Sequence, residues 1–173
     1  FVNILSVAPE LRERVVIINS ASKTYSMPGW RMGYAIGPAP LIAGATRIQG
    51  QATSSAGSIS QKALTCALLN TPAHIIEHFR ASFEKRRTLL FEGLRKIEWM
   101  SVHRPAGAFY QFADVSALMD GMDNIDGSVD FCDFLLERCQ IACVPGKPFG
   151  DDRCIRFSFV ADESDILEGI ERL

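Results

Sequence analysis

A short stretch near the start of the chain gathers an amine, a guanidinium and several hydroxyls: Asn19-Ser20-Ala21-Ser22-Lys23-Thr24-Tyr25-Ser26-Met27-Pro28-Gly29-Trp30-Arg31-Met32-Gly33-Tyr34. A lysine withdrawn from water loses its proton readily, and the neutral amine condenses with a carbonyl, so Lys23 is the candidate for covalent chemistry. Arg31 and Ser20 supply the charge-assisted and hydroxyl donors that a phosphate group accepts. Together they describe a site for a phosphorylated aldehyde. Taken singly, a lysine in a polar loop is usually solvated and an arginine before a strand usually makes a surface ion pair. The weight comes from their clustering on one loop.

Such a loop works only if its ends are held, because binding residues favour loops fixed by a rigid scaffold. Val15-Val16-Ile17-Ile18 is short and β-branched, which fits a buried strand of a mostly parallel sheet, and Gly33–Gly37 reads as a second strand closed by Pro38. Pro40 to about Gln49 reads as a helix with Leu41, Ile42, Ala45 and Ile48 on one face, and Ser58 to Leu69 as another after the small-polar stretch Ala52–Gly57. Thr71-Pro72 marks a helix start, and Ile76, Phe79, Phe83, Leu90, Leu94 and Ile97 recur at helical spacing, predicting one long bridging helix. Beyond it Ser101–Arg104, Ala108–Phe112, Ile141–Val144 and Cys154–Val160 are strand-like, a helix is expected around Ser128–Gln140, and a last one begins near Asp162. This order predicts a small α+β lobe from Thr71 onward.

The chain has 173 residues, with 18 Lys plus Arg against 20 Asp plus Glu, a net charge of −2, 47% apolar and 22% charged residues. That balance lacks the basic surplus a nucleic-acid binder needs to release phosphate counterions. No apolar run approaches the ~18 residues that span a bilayer, and no charged start leads into an apolar signal core. Five cysteines, Cys66, Cys132, Cys139, Cys143 and Cys154, form no CxxC pair, which predicts reduced, mostly buried thiols in a cytoplasmic protein. His74, His78 and His103 complete no metal set. Turn and helix-cap duties account for Asp151-Asp152 and Asp162-Glu163, and Lys85-Arg86-Arg87 reads as a solvated helix face. The apolar opening Phe1-Val2-Asn3-Ile4-Leu5 and the ending Ile170-Glu171-Arg172-Leu173, without a helix-stop signal, read as a piece of a longer protein.

The segment SASKTYSMPGWRMGY resembles the signature of the fold type I pyridoxal-phosphate enzymes, specifically the class I/II aminotransferases. Four further segments resemble the family in order: SISQKA at Ser58–Ala63, PAGAFYQF at Pro105–Phe112, PGKPFG at Pro145–Gly150 and IRFSF at Ile155–Phe159. ATSSAGSISQ is most similar to the branch that includes aspartate and prephenate aminotransferases. The resemblance implies an α/β fold: residues 1–70 as part of the cofactor-binding large domain, a mixed, mostly parallel sheet with helices, and residues 71–173 as bridging helix and small α+β C-terminal domain.

It also implies an enzyme that moves an amino group between an amino acid and a 2-oxo acid, of aspartate or aromatic type, with pyridoxal 5'-phosphate as cofactor. Lys23 is then implied to form the imine with that cofactor and to shuttle the proton from the substrate Cα to C4′. Arg31 and Ser20, with Ser22 as a second hydroxyl, would hold the phosphate. Arg156 would bind the substrate α-carboxylate through a bidentate fork. Tyr34 and Trp30 are expected to pack, and Lys147 is a candidate contact for a second substrate carboxylate. The family is implied to be homodimeric and to swing its small lobe toward the large domain on binding substrate. Its pyridinium-pairing aspartate, ring-stacking aromatic and glycine-rich phosphate turn all precede the lysine, so the chain alone is expected to be inactive. Two other readings share the same lysine and arginines: a carbon-sulfur lyase, and an aminotransferase-like sensor domain of a transcription regulator.

Overall fold

The computed structural model describes residues 2–173; Phe1, where the apolar opening begins, lies outside the described residues. The chain divides between Ile76 and Glu77 into two compact units.

In the first unit a one-turn helix α1 (Ile4–Val7) and a 3-10 turn (Pro9–Arg14) lead into strand β1 (Ile17–Ser20). Helix α2 (Ala21–Thr24) and a 3-10 turn (Pro28–Trp30) follow, then strand β2 (Gly33–Ile36) and helices α3 (Ala39–Ala52) and α4 (Ser58–Asn70). β1 and β2 pair antiparallel, Ile17 opposite Ile36 and Ser20 opposite Gly33. The strand expected over Val15–Ile18 begins at Ile17 and leaves Ile18 exposed, and its ladder with β2 is antiparallel, which a mixed sheet allows. The β-branched run flags a strand correctly, but partner direction depends on the connection, and here the chain turns straight back instead of crossing over. Ile18 is 82% exposed and Ile48, on the apolar face predicted for α3, is 72% exposed. The core of this unit is small: Ala21, Met32 and Leu64, with Tyr25, Met27 and Tyr34 packed against them.

Thr71 closes α4 rather than opening the next helix, its N–H donating to the Ala67 carbonyl at 3.3 Å. Helix α5 (Ala73–Leu94) begins beyond Pro72, which cannot donate a backbone hydrogen bond but whose carbonyl accepts from Ile75. It ends three residues before Ile97, in tight turns that lead to Trp99 in the left-handed region.

The second unit is an antiparallel sheet in the order β3-β4-β6-β5, made by β3 (Ser101–Val102), β4 (Tyr110–Asp114), β5 (Val144–Pro145) and β6 (Cys154–Ser158). Helices α6 (Ser116–Met119) and α7 (Ser128–Phe134) join its strands and α8 (Glu163–Arg172) closes the chain. β3, β5 and β6 are shorter than the runs that predict them, and β4 is displaced by two residues from Ala108–Phe112. Ala108, at φ 60, still belongs to the turn before β4, and Pro145 ends β5 at the sheet edge, where a missing N–H is tolerated. The helix expected over Ser128–Gln140 is α-helical only to Phe134, continues as a π-helical turn (Leu135–Cys139) and stops at Gln140 in a left-handed conformation. All ladders among the described residues are antiparallel.

Side chains alternate along β4 and, from Ile155 on, along β6. Gln111, Ala113, Ile155 and Phe157 are buried, while Tyr110, Phe112, Arg156 and Ser158 line the opposite face. The buried face joins Leu90, Leu94, Phe131, Leu135, Phe159 and Ile166 in one core. α5 and α8 approach so closely that a Cβ on Gly93 would run into Ile170. The basic run on α5 is less solvated than expected. Arg86 donates to the Val160 carbonyl at 2.7 Å and pairs with Asp162 at 3.0 Å, and Arg87 reaches Glu84 and the Pro105 carbonyl. Asp162 stands at the α8 N-cap without a side-chain capping bond; its carboxylate faces Arg86 instead.

The five thiols are free. Cys132 and Cys154 are buried, Cys139 and Cys143 half-buried and Cys66 exposed, and the Cys132 and Cys143 sulfurs lie 3.3 Å apart. Burial pushes the Cys132 and Cys143 thiols up, and that of Cys154 up to about 11. Because the thiolate is the nucleophile, iodoacetamide at pH 8 should label Cys66 first and the Cys132, Cys143 and Cys154 thiols about 10²-fold more slowly. Mass mapping of a time course checks this; equal labelling of the native protein contradicts it.

Candidate functional site

Ser20 ends β1 and, with φ −143 and ψ 147, also caps α2. Its Oγ accepts from the Ser22 N–H at 3.0 Å and sits 2.9 Å from Ser22 Oγ and 3.2 Å from the Met32 carbonyl. The single turn that carries Lys23 is thereby fixed at its start, and the Ala21 N–H, donating to the Met32 carbonyl at 3.1 Å, ties it across the ladder. Ala21 is fully buried over Leu64, so the turn is anchored from below as well. Lys23 itself is exposed within this unit, so the burial expected of an amine nucleophile does not come from its own loop. Tyr34 packs against the small core, as expected, whereas Trp30 stays 43% exposed.

Arg31 follows the 3-10 turn in the left-handed region, φ 54 and ψ 44. A non-glycine residue there costs on the order of 1–3 kcal/mol and is found preferentially at binding sites. Its Nη1 donates to the Pro28 carbonyl at 2.8 Å, and it makes no ion pair among the described residues. A guanidinium without a carboxylate and two serine hydroxyls in hydrogen-bond contact with each other are the donor types that suit a phosphate dianion, with an amine one residue past the second serine. The residues present therefore fit pyridoxal phosphate.

Arg156 lies in the second unit, in the middle of β6, opposite Phe112 on β4 and Val144 on β5. Its guanidinium carbon lies 4.2 Å from the centre of the Tyr110 ring and 4.6 Å from that of Phe149, and Phe149 meets Phe112 edge-on at 6.3 Å. No carboxylate pairs with it among the described residues. Ring faces attract the cation without occupying its N–H edges, which stay available for a fork-on-fork pair with a carboxylate.

The sequence reading missed the two rings. Tyr110 stands only within the strand-like run Ala108–Phe112, and Phe149 stands in PGKPFG without a role. The period-2 pattern of Tyr110, Phe112 and Arg156 was the available signal for the shared face, but the return of Phe149 onto that face depends on the turn Lys147–Phe149.

Asp152 performs the cap duty expected of it, across the chain. Its Oδ1 accepts from the Ser128 N–H at 2.9 Å and from the Ser128 hydroxyl at 2.6 Å, at the start of α7. Lys147 Nζ stands 3.4 Å from Asp152 Oδ2. Asp151 makes a turn with Arg153, whose hydrogen bonds hold its carboxyl down to about 2. Among the described residues no group of His, Cys, Asp and Glu suits a metal ion, and no helix is long and apolar enough to cross a membrane.

Residues 1–173 match the family described as aminotransferase class I and II. A bifunctional aspartate aminotransferase and glutamate/aspartate-prephenate aminotransferase of Petunia hybrida is 40% identical over 171 residues, which cover 95% of this chain and 36% of that one. The aspartate aminotransferase of Rhizobium meliloti has a crystal structure that superposes with a TM-score of 0.89 at 38% identity, covering 99% of this chain and 44% of that one. The Thermus thermophilus aspartate aminotransferase solved with maleate gives 0.83 at 33% identity, over 93% and 41%. The chain spans about two fifths of the length of these relatives.

Hydrogen bonds from Ser128, then the charge of Lys147, hold the Asp152 carboxyl below the usual carboxylate range. A depressed folded-state value means that its contribution to stability is complete above the unfolded value, about 3.9, and is lost as pH falls through the lower folded one. The denaturant midpoint should therefore be level from pH 7 to about 5 and fall below about 4. In Asp152→Asn the midpoint at pH 7 should be lower and the acid decline shallower, as followed by circular dichroism. An unchanged decline contradicts this.

Proposed function

The chain belongs to the class I and II aminotransferase family, and on that premise we propose that it forms the lysine-bearing and carboxylate-binding part of an enzyme that moves an amino group between an amino acid and a 2-oxo acid. Aspartate or aromatic amino acids are the proposed donors. The observation that carries this reading is the presence, on one chain, of a capped lysine turn, an ion-pair-free Arg31, and an Arg156 that lies against two aromatic rings and pairs with no carboxylate among the described residues.

Pyridoxal 5'-phosphate, when bound, supplies an electron sink conjugated to the substrate Cα. Arg31, Ser20 and Ser22 hold its phosphate through charge-assisted and hydroxyl hydrogen bonds. Lys23 would anchor it covalently and, with its amine released by the incoming amino acid, would take the Cα proton at Nζ and deliver it to C4′, across the intervening nitrogen. The Ser20 cap matters here because a proton shuttle must keep its reach within ångströms of both carbons. Arg156 would receive the substrate α-carboxylate on its guanidinium fork. In this reading residues 1–70 belong to the cofactor-binding domain and residues 71–173 form the bridging helix and small domain of a cytoplasmic homodimer.

Borohydride reduction of the full-length protein loaded with pyridoxal phosphate, followed by peptide mapping, should place the label on Lys23; a label elsewhere overturns the assignment. Lys23→Ala should lose at least roughly 10²–10⁴-fold in kcat. Arg156→Lys should raise KM for donor and acceptor alike by about 10-fold, the value of a charge-assisted hydrogen bond lost. Pyruvate release from a cysteine-like substrate without any acceptor would instead favour the lyase.

A further inference from the structure

The ring of Phe149 reaches Arg156 from a separate segment, and a distinct set of contacts sets the position of that segment. Phe149 ends the 3-10 turn Lys147–Phe149, which leaves β5 through Gly146. Gly146 is pinned by its N–H to the Cys154 carbonyl at 2.8 Å, and a Cβ there would collide with the Asp151 and Cys154 carbonyls. The next amide, of Lys147, donates to Ser128 Oγ at 3.1 Å. Ser128 is fully buried, and its own proton goes to Asp152 Oδ1. Asp152 can approach so closely because the preceding residue is Gly127, at φ +106, where a Cβ would stand 2.9 Å from the carboxylate. Asp152 Oδ2 meanwhile faces Lys147 Nζ. The turn is thus tied to the start of α7 through a buried hydroxyl and to Asp152 through its own side chain.

We propose that Ser128 and Asp152 are positioning residues for Arg156, acting through Phe149: their hydrogen bonds fix the Lys147–Phe149 turn, and the turn sets the ring against which the guanidinium lies. The proposal rests on the reading that Arg156 receives the substrate carboxylate. Without the Ser128 hydroxyl, the Lys147 amide loses its acceptor and Asp152 one of its two donors from Ser128. The turn loosens, one face of the guanidinium loses its ring, and the fork spends less time in the orientation that a carboxylate needs.

The test uses the full-length holoenzyme, with maleate, which carries no amino group to react, as the binding probe in titration calorimetry. Ser128→Ala should weaken maleate binding and raise KM for donor and acceptor by about 10-fold, with kcat within about 2-fold, a coupling of ordinary size for contacting residues. Phe149→Leu should do the same, and the double variant should bind no more weakly than either single one. Additive losses in the double variant, or a fall in kcat at unchanged KM, would overturn the proposal. Asp152→Asn, which keeps one acceptor oxygen, should shift binding in the same direction by less, and it is judged by the same criteria if Ser128→Ala does not fold. Arg156→Lys separates the two levels. If it weakens maleate binding while Ser128→Ala does not, only the positioning role falls; if it leaves maleate binding intact, the carboxylate reading falls and takes the positioning role with it.

Discussion

A protein that must bind an anion has to hold a cation still without neutralising it. The obvious way to fix a guanidinium is a carboxylate, and elsewhere this chain does that: Arg80 sits between Glu77 and Glu84, and Arg153 forks onto Asp151. Arg31 and Arg156 are held differently. A backbone carbonyl and a left-handed backbone position restrain the first, and two aromatic faces restrain the second. Neither restraint spends the charge, so both cations keep their attraction for a ligand.

Strand register does the positioning in both units. In the first, pairing Ser20 with Gly33 makes one serine both the end of a strand and the cap of the lysine turn, so the hydroxyls, the amine and the guanidinium are set out from one ladder. In the second, pairing Phe112 with Arg156 puts Tyr110 diagonally across from the guanidinium on the same face. A slip of one residue would turn Arg156 toward the buried core and destroy both the fold and the face. The alternation that buries Ile155 and Phe157 is therefore the same constraint that presents Arg156.

Much of this was legible in the residues. The Lys23 loop was visible because its chemistry is compressed into contiguous sequence, and the β4 and β6 strands because their burial alternates. Direction of pairing was not: Val15–Ile18 announces a strand whatever its neighbour does, and the antiparallel partner follows from how the intervening loop returns. The aromatic clamp was half legible, since Tyr110 shares a strand period with Phe112 but Phe149 arrives through a turn thirty-odd residues downstream. The lock between Ser128 and Asp152 was hidden for the same reason, a contact across 24 positions that leaves no local pattern. The basic run on α5 misled because charge spacing on a helix does not reveal which carbonyls, such as that of Val160, a neighbouring segment brings within reach.

The disparity between the two cores carries a further meaning. Among the described residues, three buried apolar side chains make up the core at the lysine turn, while thirteen interlock beneath the sheet that bears Arg156. Opening free energy tracks such packing, so backbone amides around Ala21 should trade their protons for deuterium well before those of Ile155 or Phe157. Within these 173 residues the turn that bears Lys23 then belongs to the unit that opens more readily.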